Sequence, residues 1–161
     1  MVILLSILIN FASFGNTDCD QMDRIRVAYG NIGSEAELLS FIDIIEVTPC
    51  LNSEPYMASA IMQKAQFAFA PWTKYRYFIK GRNKLELYIE QNPSDIEARY
   101  IRFLVQSHAP FFLGYNKEIK EDVNLIKKNI NNYNLPEFYK KQILEHIKIF
   151  YSGIIGSGFL N

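Results

Sequence analysis

The sequence predicts an all-α fold of about seven helices, packed as stacked antiparallel hairpins. Three observations carry that expectation. Apolar residues recur every three or four positions through most of the chain, the period of a helix that buries one face. Pro49, Pro71 and Pro93 each close a periodic segment, because a residue preceding proline is pushed away from helical dihedral angles. The alternating run Lys84 to Glu90 (KLELYIE) has no second alternating run to pair with, and a lone strand is not stable.

The elements follow in order. A first helix starts at Thr17 or Asp18, carries Met22, Ile25 and Tyr29 as its stripe, and stops at Gly30. Ser34-Glu35-Ala36-Glu37 is a capping box that opens a second helix with Leu38, Phe41, Ile42 and Ile45 on one face. Asn52 or Ser53 caps the third, with Pro55 tolerated in its first turn and Met57, Ile61, Ala65 and Ala68 as its stripe. Pro71 begins a fourth segment, reaching Gln91, with Trp72, Tyr75, Ile79, Leu85 and Ile89 at helical spacing. Gly81 and Asn83 in its middle predict a kink or a break. Ser94-Asp95-Ile96-Glu97 is a second capping box, opening a helix whose stripe is Ile96, Tyr100, Phe103 and Leu104. Asn116 starts a sixth, with Ile119, Val123, Ile126 and Ile130 in register. Asn134 and Glu137 cap a seventh, with Tyr139, Ile143, Ile147 and Phe150 buried, and the tail SGIIGSGFLN is aperiodic.

Helix-turn-helix junctions at Pro49 and Pro93 suggest hairpins set side by side. The stretch IEQNPSDIEARYIRF resembles the junction between repeats of tetratricopeptide (TPR) proteins, where an Asn-Pro turn and an acidic residue separate two hairpins. The resemblance covers residues 84–108 and implies a TPR-like array with a concave face. More loosely, the whole chain resembles short exported helical proteins of Bacteroidetes-type bacteria, which implies no particular activity.

The first fifteen residues stand apart. Val2 to Ile9 (VILLSILI) is an eight-residue apolar run followed by Ala12, Ser13 and Gly15. A spanning helix needs roughly 20 apolar residues, so this run predicts no stable membrane span. It has the form of a secretory signal peptide cleaved near Ser13-Phe14-Gly15, although no Lys or Arg precedes it. The expected organisation is a signal peptide at 1–15 and a single helical domain at 16–161, exported to the periplasm or secreted. Export bears on Cys19 and Cys50, the two cysteines of the chain. In an oxidising compartment they are either a disulfide or two unrelated thiols. A bridge would close a loop of about 30 residues, worth roughly 3–4 kcal/mol.

Seventeen basic residues balance seventeen acidic ones, so no global field draws nucleic acid. The segment Phe67 to Lys84 interleaves aromatic with basic residues, a pattern that can stack on single strands. Zero net charge and export argue instead for an aromatic hairpin core rimmed by snorkelling lysines. His108 and His146 are solitary, and neither cysteine has a neighbour at metal-ligand spacing, so no metal site or cofactor is expected. Gly156-Ser157-Gly158 lacks the strand and helix of a nucleophile elbow.

One constellation has the chemistry of a site. Asp95, Arg99, Arg102 and Gln106 share one helix face, and paired guanidinium groups suit carboxylate or phosphate. The alternative is structural: an Asp95–Arg99 pair on a solvated face, or arginines that hold the next hairpin through Glu121 or Asp122. Candidate binding residues are Arg99, Arg102, Gln106, Tyr115 and Asp122. Three functions remain open. The first is an exported, non-catalytic module whose hairpin groove binds a protein or peptide of the cell envelope. The second is a small hydrolase or transferase using the arginines and a carboxylate such as Asp122. The third is a structural accessory subunit held by its aromatic loop, Phe111 to Tyr115.

Overall fold

The structure, a computed structural model, describes residues 21–47 and 50–157. The expected signal peptide at 1–15, the helix start at Thr17 or Asp18, Cys19 and the end of the tail all lie outside the described residues. Those described form seven α-helices and no strand: α1 (Met22–Gly30), α2 (Glu35–Glu46), α3 (Glu54–Phe67), α4 (Pro71–Gln91), α5 (Ile96–His108), α6 (Ile119–Asn129) and α7 (Glu137–Ser157). Short 3-10 turns at Leu51–Ser53, Phe111–Leu113 and Ile130–Asn132 precede α3, follow α5 and follow α6.

Local chemistry starts and stops most of these helices. Ser34 Oγ accepts from the Glu37 amide at 3.3 Å, and the Glu37 carboxylate accepts from the Gly33 amide at 2.9 Å, so the predicted capping box forms. Pro55 and Pro71 occupy the first turns of α3 and α4, where no amide is missed. At α5 the cap is Asp95 rather than Ser94. Its carboxylate accepts from the Glu97 and Ala98 amides at 2.9 and 3.1 Å. Glu97 does not turn back to the cap because its carboxylate is buried against another helix. The last helix begins at Glu137, with the Pro136 carbonyl taking the Tyr139 and Lys140 amides, instead of at an Asn134 cap. It also runs to Ser157 through residues expected to be aperiodic. Once a helix is nucleated, a glycine such as Gly153 costs only about 1 kcal/mol.

Two antiparallel hairpins make up the body. In the first, α4 lies along α3: Lys84 pairs with Glu54, Gly81 faces Ala58 and Met62, and Lys64 sits over the Tyr77 ring. Rising positions on one helix meet falling positions on the other, which fixes the antiparallel sense. In the second, Arg102 of α5 meets Asp122 of α6 while Gln106 meets Glu118. The core between them holds Tyr56, Ala58, Leu85, Ile96, Ala98, Ile101, Phe103 and Ile126, with Leu38 and Phe41 of α2 and Ile143 and Ile147 of α7 closing its flanks.

Three expectations about buried faces change. Helix α4 is continuous through Gly81 and Asn83. Gly81 is there for contact: a Cβ at this position would stand 2.4 Å from the Ala58 carbonyl oxygen and 2.9 Å from the Met62 nitrogen. Helix α3 buries Tyr56, Ala58, Ser59, Ala60 and Met62, whereas Met57, Ile61 and Ala65 are only partly covered. The small residues turn inward because α4 approaches so closely. Finally, Phe69, Trp72 and Tyr75 do not build a hairpin core. They are 101, 70 and 59% exposed, because the buried side of α4 runs through Phe78, Gly81, Leu85 and Tyr88.

The Gly81 contact has a direct test. Gly81→Ala should destabilise the fold by about 1–3 kcal/mol in urea unfolding, the cost of overpacking against backbone, despite alanine's better helix propensity. Gly30→Ala meets nothing within 4 Å and should change stability by less than about 1 kcal/mol.

Candidate functional site

The candidate binding residues converge on one seam, and they are buried. Arg99 and Arg102 retain 7 and 5% exposure and Asp122 none, so the face of α5 read as polar is an interior surface. The physical reason is that α6 and α4 both pack on it. Arg102 presents a two-pronged fork to Asp122, Nε to Oδ2 and Nη2 to Oδ1, each at 2.7 Å. Its remaining donor, Nη1, reaches Glu86 of α4 at 2.6 Å. Arg99 Nη1 donates to Asp122 at 2.9 Å and to Glu121 at 3.2 Å, while Nε donates to the Pro93 carbonyl at 3.0 Å, tying down the α4–α5 turn. Tyr115 joins from the loop after α5: its hydroxyl donates to Glu86 Oε1, and its ring stands edge-on to Phe78 at 5.7 Å. Gly114 makes that approach possible, with a left-handed φ of 59° that turns the chain back. Gln106 Nε2 donates to Glu118 at 2.7 Å. Asp95 is not part of this seam: it caps α5 and accepts from Tyr88 and Tyr133.

Burial by itself would weaken the charge on Arg102, but the bonds from Asp122 and Glu86 more than offset it, and its pKa is raised. The hydroxyl of Tyr115 is pushed up by burial and by its bond to Glu86. All three nitrogens of Arg102, and Nε and Nη1 of Arg99, are thus engaged by carboxylates and a carbonyl of the chain itself. Chemically, the seam welds α5 to α6 and α4.

A second buried polar network lies on another side of α5, joining residues too far apart along the chain for any local pattern to link them. Glu97 accepts a fork from Arg26 of α1, at 2.7 Å from Nε and 2.8 Å from Nη2. It also accepts from the Tyr56 hydroxyl, which meets Tyr139 at 2.7 Å. Tyr100 reaches His146 Nδ1 at 2.5 Å. Burial, the larger influence on Glu97, lifts its carboxyl above the usual range, while Arg26 and Tyr56 pull it down. Two charge-assisted bonds of this length mark the Arg26–Glu97 pair as ionic. Tyr56 and Tyr139 are pushed well up by burial and by the neighbouring carboxylate.

The feature with room for a ligand is elsewhere. A cleft of about 930 Å³ opens between the connected ends of α3 and α4 and the C-terminal end of α5 with its following loop. Met62 and Ala65 of α3, Phe78 of α4, Leu104 and Val105 of α5, and Leu113 form its walls. Tyr75 and Phe112 stand at its mouth, 59 and 85% exposed. None of the five sequence-derived candidates lines it. Its polar groups are Tyr29, bonded to Ser59 at 2.7 Å, with Gln63, Gln66, Lys74 and His108. No signal in the sequence marks this cleft, since its walls come from four separate segments. The exposed aromatic residues near Pro71 and Pro110 are the nearest hint.

Among the described residues, no group of His, Cys, Asp and Glu could hold a metal ion, and no helix is long and apolar enough to cross a membrane. Comparison with known families, curated proteins and solved structures found no match to this chain.

Removing the shared partner of both arginines should be the most damaging change in the seam. Asp122→Ala leaves two buried cations facing each other and should cost roughly 3–5 kcal/mol, a fall in melting temperature on the order of 10 °C. Arg102→Ala should cost more than Arg99→Ala, because Arg99 spends one donor bond on the exposed Glu121. Thermal melts of the three variants check the order.

The tyrosines predict an alkaline transition. Tyr29, Tyr56, Tyr88, Tyr100, Tyr115 and Tyr139 all have raised pKa values, chiefly through burial. The folded state holds these protons more tightly than the unfolded chain. Their contribution to stability is therefore complete below the ordinary tyrosine value near 10 and is lost as pH rises above it. Absorbance titration at alkaline pH should show part of the ten tyrosines ionising only together with loss of helical circular dichroism.

Proposed function

We propose that this protein is a non-catalytic binding module that takes an apolar ligand into the cleft between α3, α4 and α5. The observation that carries the reading is the cleft itself: about 930 Å³, walled by aliphatic and aromatic side chains, with exposed aromatics at its mouth. Its volume falls in the upper part of the roughly 300–1,000 Å³ range of small-molecule sites. Monomeric soluble proteins rarely leave aromatic side chains this exposed in one neighbourhood without a use for them.

The arginine seam supports a binder over a hydrolase or transferase. Its carboxylate, Asp122, has no exposed surface and is held by two guanidinium groups, so it is not an accessible acid, base or nucleophile. The proposal includes export, supported by the short apolar run and the small residues that follow it. It also includes a Cys19–Cys50 bridge in that oxidising compartment, and kinship with TPR-like helical arrays, supported by the Asn92-Pro93 junction between the two hairpins.

Titration with N-phenyl-1-naphthylamine, a neutral apolar fluorophore, tests the cleft. Saturable binding at one site is expected, with energy transfer from Trp72, the single tryptophan, which neighbours Pro71 in the wall. Ala65→Phe should push a ring from the wall into the cleft and weaken binding at least about tenfold while leaving the helical signal intact. An affinity unchanged by Ala65→Phe would place the dye elsewhere and remove the reading.

A further inference from the structure

The polar groups of the cleft are distributed in a way that specifies its ligand. Among the described residues its lining holds no acidic side chain, one lysine and one histidine. Lys74 is exposed and forms no ion pair among the described residues, in a protein where most buried charges are paired. It sits in the first turn of α4, which carries no acidic residue and no side-chain cap, so the positive end of the helix adds to its field. On the opposite wall, His108 Nδ1 is turned back to the Leu104 carbonyl at 2.8 Å. Donation through that nitrogen leaves Nε2 of the neutral ring as an acceptor, so Lys74 is the cleft's cationic contact for an anionic head group. The walls between these two residues are apolar, from Met62 and Phe78 to Val105 and Leu113.

Resting on the reading of the cleft as a ligand site, we propose that its ligand is a single-chain carboxylate amphiphile, a free long-chain fatty acid. The alkyl chain lies against Met62, Phe78, Val105 and Leu113, where its removal from water supplies most of the affinity. The carboxylate sits at the mouth against the Lys74 ammonium. One lysine at the rim matches one head group. The absence of acidic side chains excludes the cationic amphiphiles that an equally apolar cleft would otherwise accept, because selectivity needs a term that differs between head groups.

The test uses the full chain loaded with N-phenyl-1-naphthylamine and three competitors of equal chain length: dodecanoate, dodecan-1-ol and dodecyltrimethylammonium. Dodecanoate should displace the dye at a concentration about tenfold lower than the alcohol, as expected for one charged hydrogen bond. The ammonium compound should be the weakest of the three. Lys74→Glu, at an exposed position, should abolish the preference for dodecanoate over dodecan-1-ol, read as the ratio of the two displacing concentrations within the variant so that any change in dye affinity cancels. Equal displacement by dodecanoate and dodecan-1-ol, or a preference that survives in Lys74→Glu, overturns the fatty-acid proposal and leaves the apolar cleft standing. Dye binding that none of the three competitors reverses also overturns it. Failure of the dye itself to bind removes the cleft reading on which the proposal rests, so the two failures are told apart.

Discussion

Charged side chains of α5 have been taken out of water on two sides of the helix, and much of the rest of the structure follows from the need to satisfy them. Nine of the thirteen residues of α5 are buried, including Glu97, Arg99 and Arg102. An unpaired charge in that position costs several kcal/mol, so each demands a partner of opposite sign at hydrogen-bond distance. Asp122 answers the two arginines from α6, Glu86 answers Arg102 from α4, and Arg26 answers Glu97 from α1. Tyr56 of α3 and Tyr139 of α7 complete the shell around Glu97. Through these bonds α5 is tied to every helix but α2.

That arrangement divides the labour of the molecule. Ion pairs of this kind contribute modest net stability against an apolar replacement, but they allow one register and one orientation for each neighbour. Apolar packing supplies the bulk of the driving force, through Leu38, Phe41, Leu85, Ile101, Phe103 and Ile143. With α5 held rigidly, its C-terminal end at Leu104, Val105 and His108 becomes a fixed wall for the cleft. The α3–α4 hairpin supplies the facing wall, and its position is set by the close approach at Gly81. The binding role proposed for the cleft therefore depends on two rigid contacts that do not themselves touch a ligand.

The candidate site was legible in part. Arg99, Arg102 and Gln106 fall at spacings of three and four, so numbering alone puts them on a common face, and Asp122 of the next hairpin is a partner of the right charge. What the numbering could not give was the environment of that face. Whether a charged stripe meets solvent or another helix depends on what packs there. The same limit explains Trp72 and Tyr75, whose helical spacing suggested a core and whose side chains are exposed. Arg26 and Glu97 stand 71 positions apart, so no local pattern connects them.

By itself the sequence determined the all-α class, the seven helices and the position of most of their ends. Period, capping residues and prolines act over four residues or fewer, within reach of a reading along the chain. The Ser34 box and the prolines at 55 and 71 behaved as such local rules require. Only the tertiary structure decided that Gly81 is a contact point and not a kink, that both arginines are interior, and that a cleft opens at the end of α5. Each of these is a property of the space between two or more helices, and that space exists only once they are packed.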